Sequence, residues 1–453
     1  MSKTVPTIAA ISTPPGVGGI AVVRLSGPDA YSIARQHLAM SNTSRTTFFT
    51  LFRIGNTILD EVVVTCFHAP HSYTGEDTVE IACHGSLYIQ QTLLQALIDS
   101  GAQMAEPGEF TQRAFLNGRM DLSQAEAVAD LIDATNAGAH QLAISQLRGG
   151  YAQRLQELRD QFVELTSLLE LELDFSDEEV EFADRGQLLS LINTVEEECR
   201  RLTDSFQQGN AIKQGVPVAI VGQPNVGKST LLNALVGEER AIVSDIAGTT
   251  RDTIEDTLTL NGIQYRFIDT AGIRHSTDAI ESQGIERSYQ AAEKAQVILY
   301  IVDASDAEQC NELLNDFATH VDFTNKKVIL LLNKIDKTTH TPTSINISFP
   351  NIHILPISAK HGQGLDELRQ RLTQLYQQTD QATPTVSNLR HYEALQHILT
   401  AVTLVRQGLQ QSLPADLVVI DLRDALHHLG TITGQVTSDE VLGSIFGRFC
   451  IGK

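Results

Sequence analysis

Gly222-Gln223-Pro224-Asn225-Val226-Gly227-Lys228-Ser229 is the stretch on which the fold of this chain turns. It follows Val218-Ala219-Ile220-Val221, a β-branched run that reads as a buried strand, and precedes Thr230–Leu235, which reads as a helix. Strand, loop and helix in that order are the context a phosphate-binding loop requires. Gly222 and Gly227 let backbone N–H groups turn inward around phosphate oxygens, where a Cβ would obstruct them. Lys228 is expected to reach the β- and γ-phosphates, and the Ser229 hydroxyl to ligate Mg²⁺. Asn225, Val226 and Thr230 belong to the same cradle.

Four further motifs follow in order: Gly248-Thr249-Thr250, Asp269-Thr270-Ala271-Gly272, Asn333-Lys334-Ile335-Asp336 and Ser358-Ala359-Lys360. Asp269 closes the apolar run Tyr265–Ile268 and would meet Mg²⁺ through water, while the Gly272 N–H faces the γ-phosphate. Thr250 would complete the metal shell only while that phosphate is present. Asp336 comes just after the strand-like Val328–Leu332, and its two oxygens suit guanine N1–H and the exocyclic amine. Adenine offers no such donor pair and would leave a buried carboxylate unpaired. Asn333 and Lys334 would brace the base, and the Ala359 N–H would meet its carbonyl. The nucleotide implied is GTP, with Mg²⁺.

This ordered set resembles the translation-factor-like GTPases of the P-loop class, with one departure. Signalling GTPases place a glutamine just after Asp-x-x-Gly to orient the attacking water, and here that position is Ile273. Since phosphoryl transfer is mostly placement and electrostatics, something else must supply both. Asn225 together with Ser244-Asp245-Ile246-Ala247-Gly248-Thr249 suggests a seat for a monovalent cation beside the phosphates. Its metal-facing candidates are Asn225, Ser244, Ile246 and Thr249. The simpler reading, that Asn225 only stabilises the loop, stays open.

The ends of the chain carry a second resemblance. The C-terminal stretch reads Ile445-Phe446-Gly447-Arg448-Phe449-Cys450-Ile451-Gly452-Lys453. The N-terminal part carries Thr13-Pro14-Pro15-Gly16, Tyr73-Thr74-Gly75-Glu76-Asp77 and Gly108-Glu109-Phe110-Thr111-Gln112-Arg113-Ala114-Phe115-Leu116-Asn117-Gly118. Over its whole length the chain resembles the MnmE (TrmE) family of tRNA-modification GTPases. The resemblance implies K⁺ as the monovalent cation and a constitutive homodimer. It also implies a 5-formyl- or 5,10-methylene-tetrahydrofolate one-carbon donor and an FAD-containing partner of the MnmG type. Arg24, Glu80 and Arg119 fall at its folate contacts, with Lys453 reaching in from the tail, although the family often has lysine in place of Arg119. A carboxylate such as Glu80 suits pterin N–H donors, and arginine or lysine suits a glutamate tail or formyl oxygen. Glu281 matches the residue that orients the hydrolytic water. Cys450 is either a thiolate near folate or part of a docking run against the N-terminal domain.

The 453 residues allow about three domains. Residues 1–118 read as a compact α/β domain, expected to bind tetrahydrofolate and dimerise. Strands are predicted at Val5–Ile11, Ile20–Leu25, Phe48–Ile54, Glu61–Phe67 and Thr78–Cys83, and helices at Asp29–Leu38 and Leu87–Asp99. Residues 119–212 read as all-α: Leu147, Tyr151, Leu155, Leu158, Phe162, Leu165 and Leu169 form one stripe, and Leu188, Ile192, Val195, Cys199, Leu202 and Phe206 another. Between them the acidic Asp174–Asp184 is expected to be an exposed connection. A P-loop GTPase domain, α/β with a mostly parallel sheet, occupies 213–379. After the polar linker Gln377–Ser387, helices at Leu389–Leu413, Ala415–Leu429 and Asp439–Phe449 make 380–453 the second part of one discontinuous helical domain. The GTPase unit would be inserted into it on two linkers.

Five scattered cysteines with no Cys-x-x-Cys suit a reducing cytosol, and no apolar run approaches bilayer length. With no secretory-signal pattern at the start, the expectation is a cytoplasmic protein without a membrane role. A net charge of −22 should repel a phosphate backbone over most of the surface. Any tRNA would then be held mainly by the partner, though acidity also serves solubility alone. The expected function is a K⁺-dependent GTPase that, with the FAD protein, adds a carboxymethylaminomethyl-type group to C5 of the wobble uridine. The alternative is a ribosome-assembly or RNA-remodelling GTPase, which would share every nucleotide motif. A septin-like or dynamin-like structural GTPase is weakened by the small GTPase unit and the lack of a membrane-binding stretch.

Overall fold

The computed structural model describes residues 5–39, 47–174, 185–237, 256–268, 281–323, 326–338, 352–376 and 385–453. Two compact units emerge. One comprises Met1–Ile132, Ile144–Arg200 and Glu393–Lys453, the other Asp133–Ala143 and Arg201–Tyr392.

The first unit carries strands β1 (Ile8–Ile11), β2 (Gly18–Ser26), β3 (Thr47–Ile54), β4 (Thr57–Phe67), β5 (Thr78–Gly85) and β6 (Gln103–Met104). They form one sheet in the order β3-β4-β5-β2-β1-β6. Every pairing is antiparallel except β1 with β6. Two-residue alternation sends Val23, Leu25, Val62, Val64, Val79 and Ile81 into a core shared with Leu93 and Leu97 of the helix Leu87–Asp99. The intervening residues Arg24, Glu80, Ala82 and His84 therefore stand on the opposite face.

The helical part follows the leucine stripe. Helix Gly150–Asp174 buries Tyr151, Leu155, Leu158, Phe162, Leu165 and Leu169 and packs along helix Ala415–Thr433. Each such leucine contributes about 1.5–3 kcal/mol through the apolar area it removes from water. Two members of the predicted stripes lie elsewhere. Leu147 ends a separate helix, Ala137–Leu147, because the chain turns at Arg148–Gly149 before the long helix starts. Likewise Arg185–Asp204 buries Leu188, Ile192, Val195, Cys199 and Leu202, but Phe206 opens the next helix, Phe206–Gln214. Its ring stacks on Tyr392 at 4.3 Å. Most of the acidic connection predicted at Asp174–Asp184, and residues 377–384 of the predicted linker, lie outside the described residues.

The second unit is the α/β sandwich expected around the P-loop. Strands β7 (Val216–Gly222), β8 (Asp256–Leu260), β9 (Ile263–Phe267), β10 (Val297–Asp303), β11 (Lys327–Asn333) and β12 (His353–Pro356) lie in the order β12-β11-β10-β7-β9-β8. All neighbours are parallel except the β8–β9 hairpin. One face packs Ile220, Leu299, Ile301 and Leu331 against Leu231 and Leu235 of helix Lys228–Val236 and Leu368 of helix Leu365–Leu375. The other packs Val221, Ile298 and Leu330 against Leu314 and Phe317 of helix Cys310–Ala318. A parallel sheet covered on both sides explains the unbroken apolar runs at 297–302 and 328–332. The unit reaches beyond 213–379 because Ala211 and Ile212 of helix Phe206–Gln214 enter the sheet core. Gly222, Asp303 and Asn333 end neighbouring strands at one edge, where ligands of open α/β sheets bind. No described helix is long and apolar enough to cross a membrane.

Candidate functional site

At that edge β7 delivers the loop to the N-terminus of helix Lys228–Val236, where free backbone N–H groups and the helix dipole favour an anion. Asn225 takes a left-handed conformation (φ 61°) within the loop, and Gly227 caps the helix with φ 105°. A Cβ at Gly227 would lie 2.3 Å from Nδ2 of Asn333, so only glycine fits. Asn333 is buried, at 3% exposure. Its Nδ2 donates to the Val226 carbonyl at 2.7 Å, and its Oδ1 accepts from the Ala359 N–H at 2.9 Å. One amide side chain thus ties the loop, the end of β11 and the Ser358–Lys360 segment together. The Ala359 N–H, expected to serve a guanine carbonyl, is here engaged by Asn333.

Asp336 sits in the single turn Ile335–Lys337, reached through Lys334 in the left-handed region (φ 66°). The Ser358 hydroxyl donates to its Oδ1 at 2.6 Å, and His361 Nε2 lies 3.7 Å from Oδ2. The Ser358 bond, helped by the charges of His361 and Lys337, holds the Asp336 carboxyl below the usual carboxylate range. It is therefore an oriented, ionised acceptor. Lys334 is held away by an ion pair to Asp303, Nζ to Oδ2 at 2.7 Å. Burial works against the Asp303 carboxylate, but bonds from Lys334 and Ser305 outweigh it and leave its pKa lowered. Asp303 was not singled out in the sequence. Its signal was its place: it follows the apolar run of β10, in register with Asn333.

The Lys228 ammonium donates to the carbonyls of Gly222 and Gln223, both at 2.8 Å, and burial pushes its pKa down. A phosphate chain would give it charged acceptors instead. A cradle of positive-φ residues, a helix N-terminus, a half-buried lysine and an oriented carboxylate fit a guanine nucleotide. Of the expected Mg²⁺ and cation ligands, Ser229 and Asn225 lie among the described residues, Asn225 in the loop and Ser229 in the first turn of the helix. Ser244–Thr250 and Asp269–Gly272 lie outside the described residues, as does the side chain of Glu281, which opens helix Glu281–Lys294.

The first unit holds a second cluster. Arg24 and Glu80 are register partners on β2 and β5, and Arg24 Nε donates to Glu80 Oε1 at 2.8 Å. The guanidinium stands 5.5 Å from the ring centroids of both Tyr73 and Phe110, within cation–π reach. The Tyr73 hydroxyl pairs with Thr111 Oγ1 at 2.8 Å, and burial pushes its pKa up. Arg113, almost buried, contacts Glu76 at 3.2 Å and Glu109 at 2.7 Å, while Ser26 donates to Glu76 at 2.7 Å. The motifs at 73–77 and 108–118 thus converge on Arg24. Tyr73 and Phe110, unassigned in the sequence, form its aromatic floor.

Arg119 is exposed, its methylene stem beside Gly75. The tail docks within the same unit. Ile451 bridges to Pro107, the Phe110 N–H donates to the Lys453 carbonyl at 3.1 Å, and Phe449 is buried with Leu442 and Phe446. Cys450 itself is exposed, so Phe449 and the backbone carry the docking. The Arg24 guanidinium and the Glu80 carboxylate, side by side and partly exposed, offer a donor fork and an acceptor to a polar ligand.

The model "GTP-binding protein TrmE N-terminus" matches residues 7–119, and "MnmE helical domain" matches residues 122–450. The chain is 52% identical to the tRNA modification GTPase MnmE of Parabacteroides distasonis, covering 99% of this chain and all of that protein. It is 48% identical to the protein of the same name from Porphyromonas gingivalis, covering 99% and 98%. Among solved structures, a point variant of Aquifex aeolicus Era bound to GDP and aluminium fluoride is 33% identical. The match covers 41% of this chain and 66% of that one, with a TM-score of 0.27.

Proposed function

The chain belongs to the MnmE (TrmE) family of tRNA modification GTPases, a GTP hydrolase acting in tRNA modification, and on that premise we propose its finer chemistry. Together with an FAD protein of the MnmG type, it acts in the cytoplasm and adds a carboxymethylaminomethyl-type group to C5 of the wobble uridine in certain tRNAs. The observation that carries the nucleotide half is the Asn333 brace, which fixes the phosphate loop and the base-reading segment relative to each other.

Asp336 reads the guanine edge, Lys228 meets the phosphates and Ser229 holds Mg²⁺. K⁺ beside Asn225 offsets charge on the transferring group, in the role an arginine finger has elsewhere. Glu281 orients the water. Two copies meet through their GTPase units when Ser244–Thr250 orders around the nucleotide.

Tetrahydrofolate supplies the carbon, and the Arg24–Glu80 pair over Tyr73 and Phe110 supports its assignment to the N-terminal sheet. Glu80 accepts from pterin N–H groups, and Arg24, Arg119 and Lys453 provide positive charge for carbonyl or carboxylate oxygens. The boundaries at 118, 212 and 379 are proposed with it, as is a homodimer built on the N-terminal domain. With a surface this acidic, the partner makes most of the tRNA contact.

Calorimetric titration with GTP and ATP tests the premise, since equal uptake of ATP rules out the Asp336 reading. GTP hydrolysis in K⁺ and in Na⁺ at equal ionic strength tests the cation, and equal rates remove it. Mass analysis of tRNA nucleosides from a deletion strain tests the substrate, which requires loss of a C5-substituted wobble uridine.

A further inference from the structure

On the face of the first sheet that carries Arg24 and Glu80, His84 stands at the end of β5 and pairs with Asp60 of the neighbouring β4. The side chain of Asp60 on β4 is 8% exposed and accepts three N–H bonds. The His84 backbone N–H donates to Oδ2 at 2.8 Å, the Glu61 N–H to Oδ1 at 2.9 Å, and His84 Nδ1 lies 2.7 Å from Oδ1. A carboxylate oxygen accepts, so the short contact is Nδ1–H to Oδ1, and this tautomer turns the Nε2 lone pair away from Asp60. The ring is 68% exposed. A ring this open to solvent is ordinarily free to turn. Here a sunken carboxylate grips both its backbone and its inner nitrogen and presents the outer one.

Strand geometry places the pair. Glu80, Ala82 and His84 alternate with the buried Val79, Ile81 and Cys83, so His84 shares a face with Glu80 four residues along β5. That is about 13 Å at the usual rise per residue. Beside it β2 bulges between Gly18 and Ala21, a stretch that carries the exposed Ile20. A ligand anchored at Arg24 and Glu80 and extended along the strand would run towards Nε2.

We propose that Asp60 and His84 form a proton-transfer dyad serving the open face of the N-terminal sheet, taking a proton from a primary ammonium substrate before it attacks the one-carbon unit. This rests on the one-carbon reading above. In the step, one N–H bond of the ammonium breaks and an Nε2–H bond forms. The nitrogen keeps its electron pair as a neutral amine. The positive charge passes to the imidazole, where Asp60 offsets it, and the proton leaves to water from the exposed ring. Asp60 does not take up the proton; it sets the tautomer, as the carboxylate does in hydrolase triads.

The test uses the full chain with its FAD partner, tRNA, 5,10-methylene-tetrahydrofolate and ammonium or glycine, reading single-turnover formation of C5-substituted uridine. His84→Gly should slow it at least 100-fold, the lower range for lost acid–base catalysis, and added imidazole should restore much of the rate. Asp60→Asn, whose NH2 must face a backbone N–H in either orientation, should loosen the hold on the Nδ1–H tautomer and slow the reaction similarly. Two readouts do not need turnover. ¹⁵N spectra of the histidine ring should report an Nδ1–H tautomer in the wild type and a smaller share of it in Asp60→Asn. Titration with 5-formyl-tetrahydrofolate should give the His84 variants wild-type affinity within about threefold. If His84→Gly destabilises the sheet, His84→Gln keeps a side-chain amide at the position and must show the same loss. Wild-type rates in both His84 variants, a loss that imidazole does not repair while folate still binds, or an Nε2–H ring in the wild type would each overturn the dyad and leave the one-carbon reading standing. No folate binding and no product in the wild type would remove both.

Discussion

Asn333→Ala perturbs the one side chain on which both halves of the nucleotide site depend. It removes a donor from the Val226 carbonyl and an acceptor from the Ala359 N–H, in a setting where Val226, Asn333 and Ala359 are each under 5% exposed. Water cannot easily replace either bond, and an orphaned buried polar group costs about 1–3 kcal/mol. Allowing for partial relaxation, the two together destabilise the braced arrangement by about 2–4 kcal/mol. At 1.4 kcal/mol per tenfold, GTP affinity should fall by about 30- to 700-fold. Equilibrium titration of the full chain with a fluorescent GTP analogue measures this directly. Asn333→Asp keeps the acceptor for Ala359 but sets a buried carboxylate oxygen against the Val226 carbonyl, acceptor facing acceptor, so it should cost at least as much as alanine. Affinity within threefold of wild type for Asn333→Ala would refute the brace, and a lowered melting temperature with unchanged affinity would restrict Asn333 to stability.

Three further outcomes follow from the geometry. Asp303 has a lowered folded pKa, so its contribution is present above the unfolded carboxylate value of about 3.9 and lost as pH falls through the folded one. Melting of the wild type should therefore show an acid-side loss that Asp303→Asn lacks. Gly452→Ala places a Cβ 2.2 Å from the Ile11 carbonyl at a φ of 97°. The strain of about 1–3 kcal/mol should loosen the tail, read as cleavage near residues 449–453 accelerated about tenfold or more. Cys450→Ser should leave the melting temperature within the range of an ordinary surface change, about 0.5 kcal/mol, because the thiol is exposed and the docking is carried by its neighbours.

Local chemistry was the legible part of this chain. The loop at 222–229 and the asparagine at 333 could be read because strand, turn and helix signals surround them, and helix Leu87–Asp99 matched its predicted bounds residue for residue. The helical stripes were legible in periodicity but not in their ends. Leu147 and Phe206 keep the spacing of the stripe while belonging to neighbouring helices, since periodicity is blind to a turn that preserves phase. What stayed hidden were partnerships across strands. Asp60 and His84 are twenty-four positions apart, and nothing in composition pairs them until β4 lies against β5. Asp303 becomes a partner of Lys334 only when two parallel strands end together, and the aromatic floor beneath Arg24 needs the loop at Tyr73 to meet the helix Glu109–Leu116.

The tail contacts have a consequence for how the chain is made. Phe110, in helix Glu109–Leu116, donates to the carbonyl of residue 453, so this contact cannot form until the second unit has been synthesised. The second unit, encoded between these partners, needs nothing from the tail for its own core and can fold while they wait. A nascent chain would thus possess a nucleotide pocket before it possesses a docked tail, and a product truncated ahead of Phe449 would keep the first and lack the second.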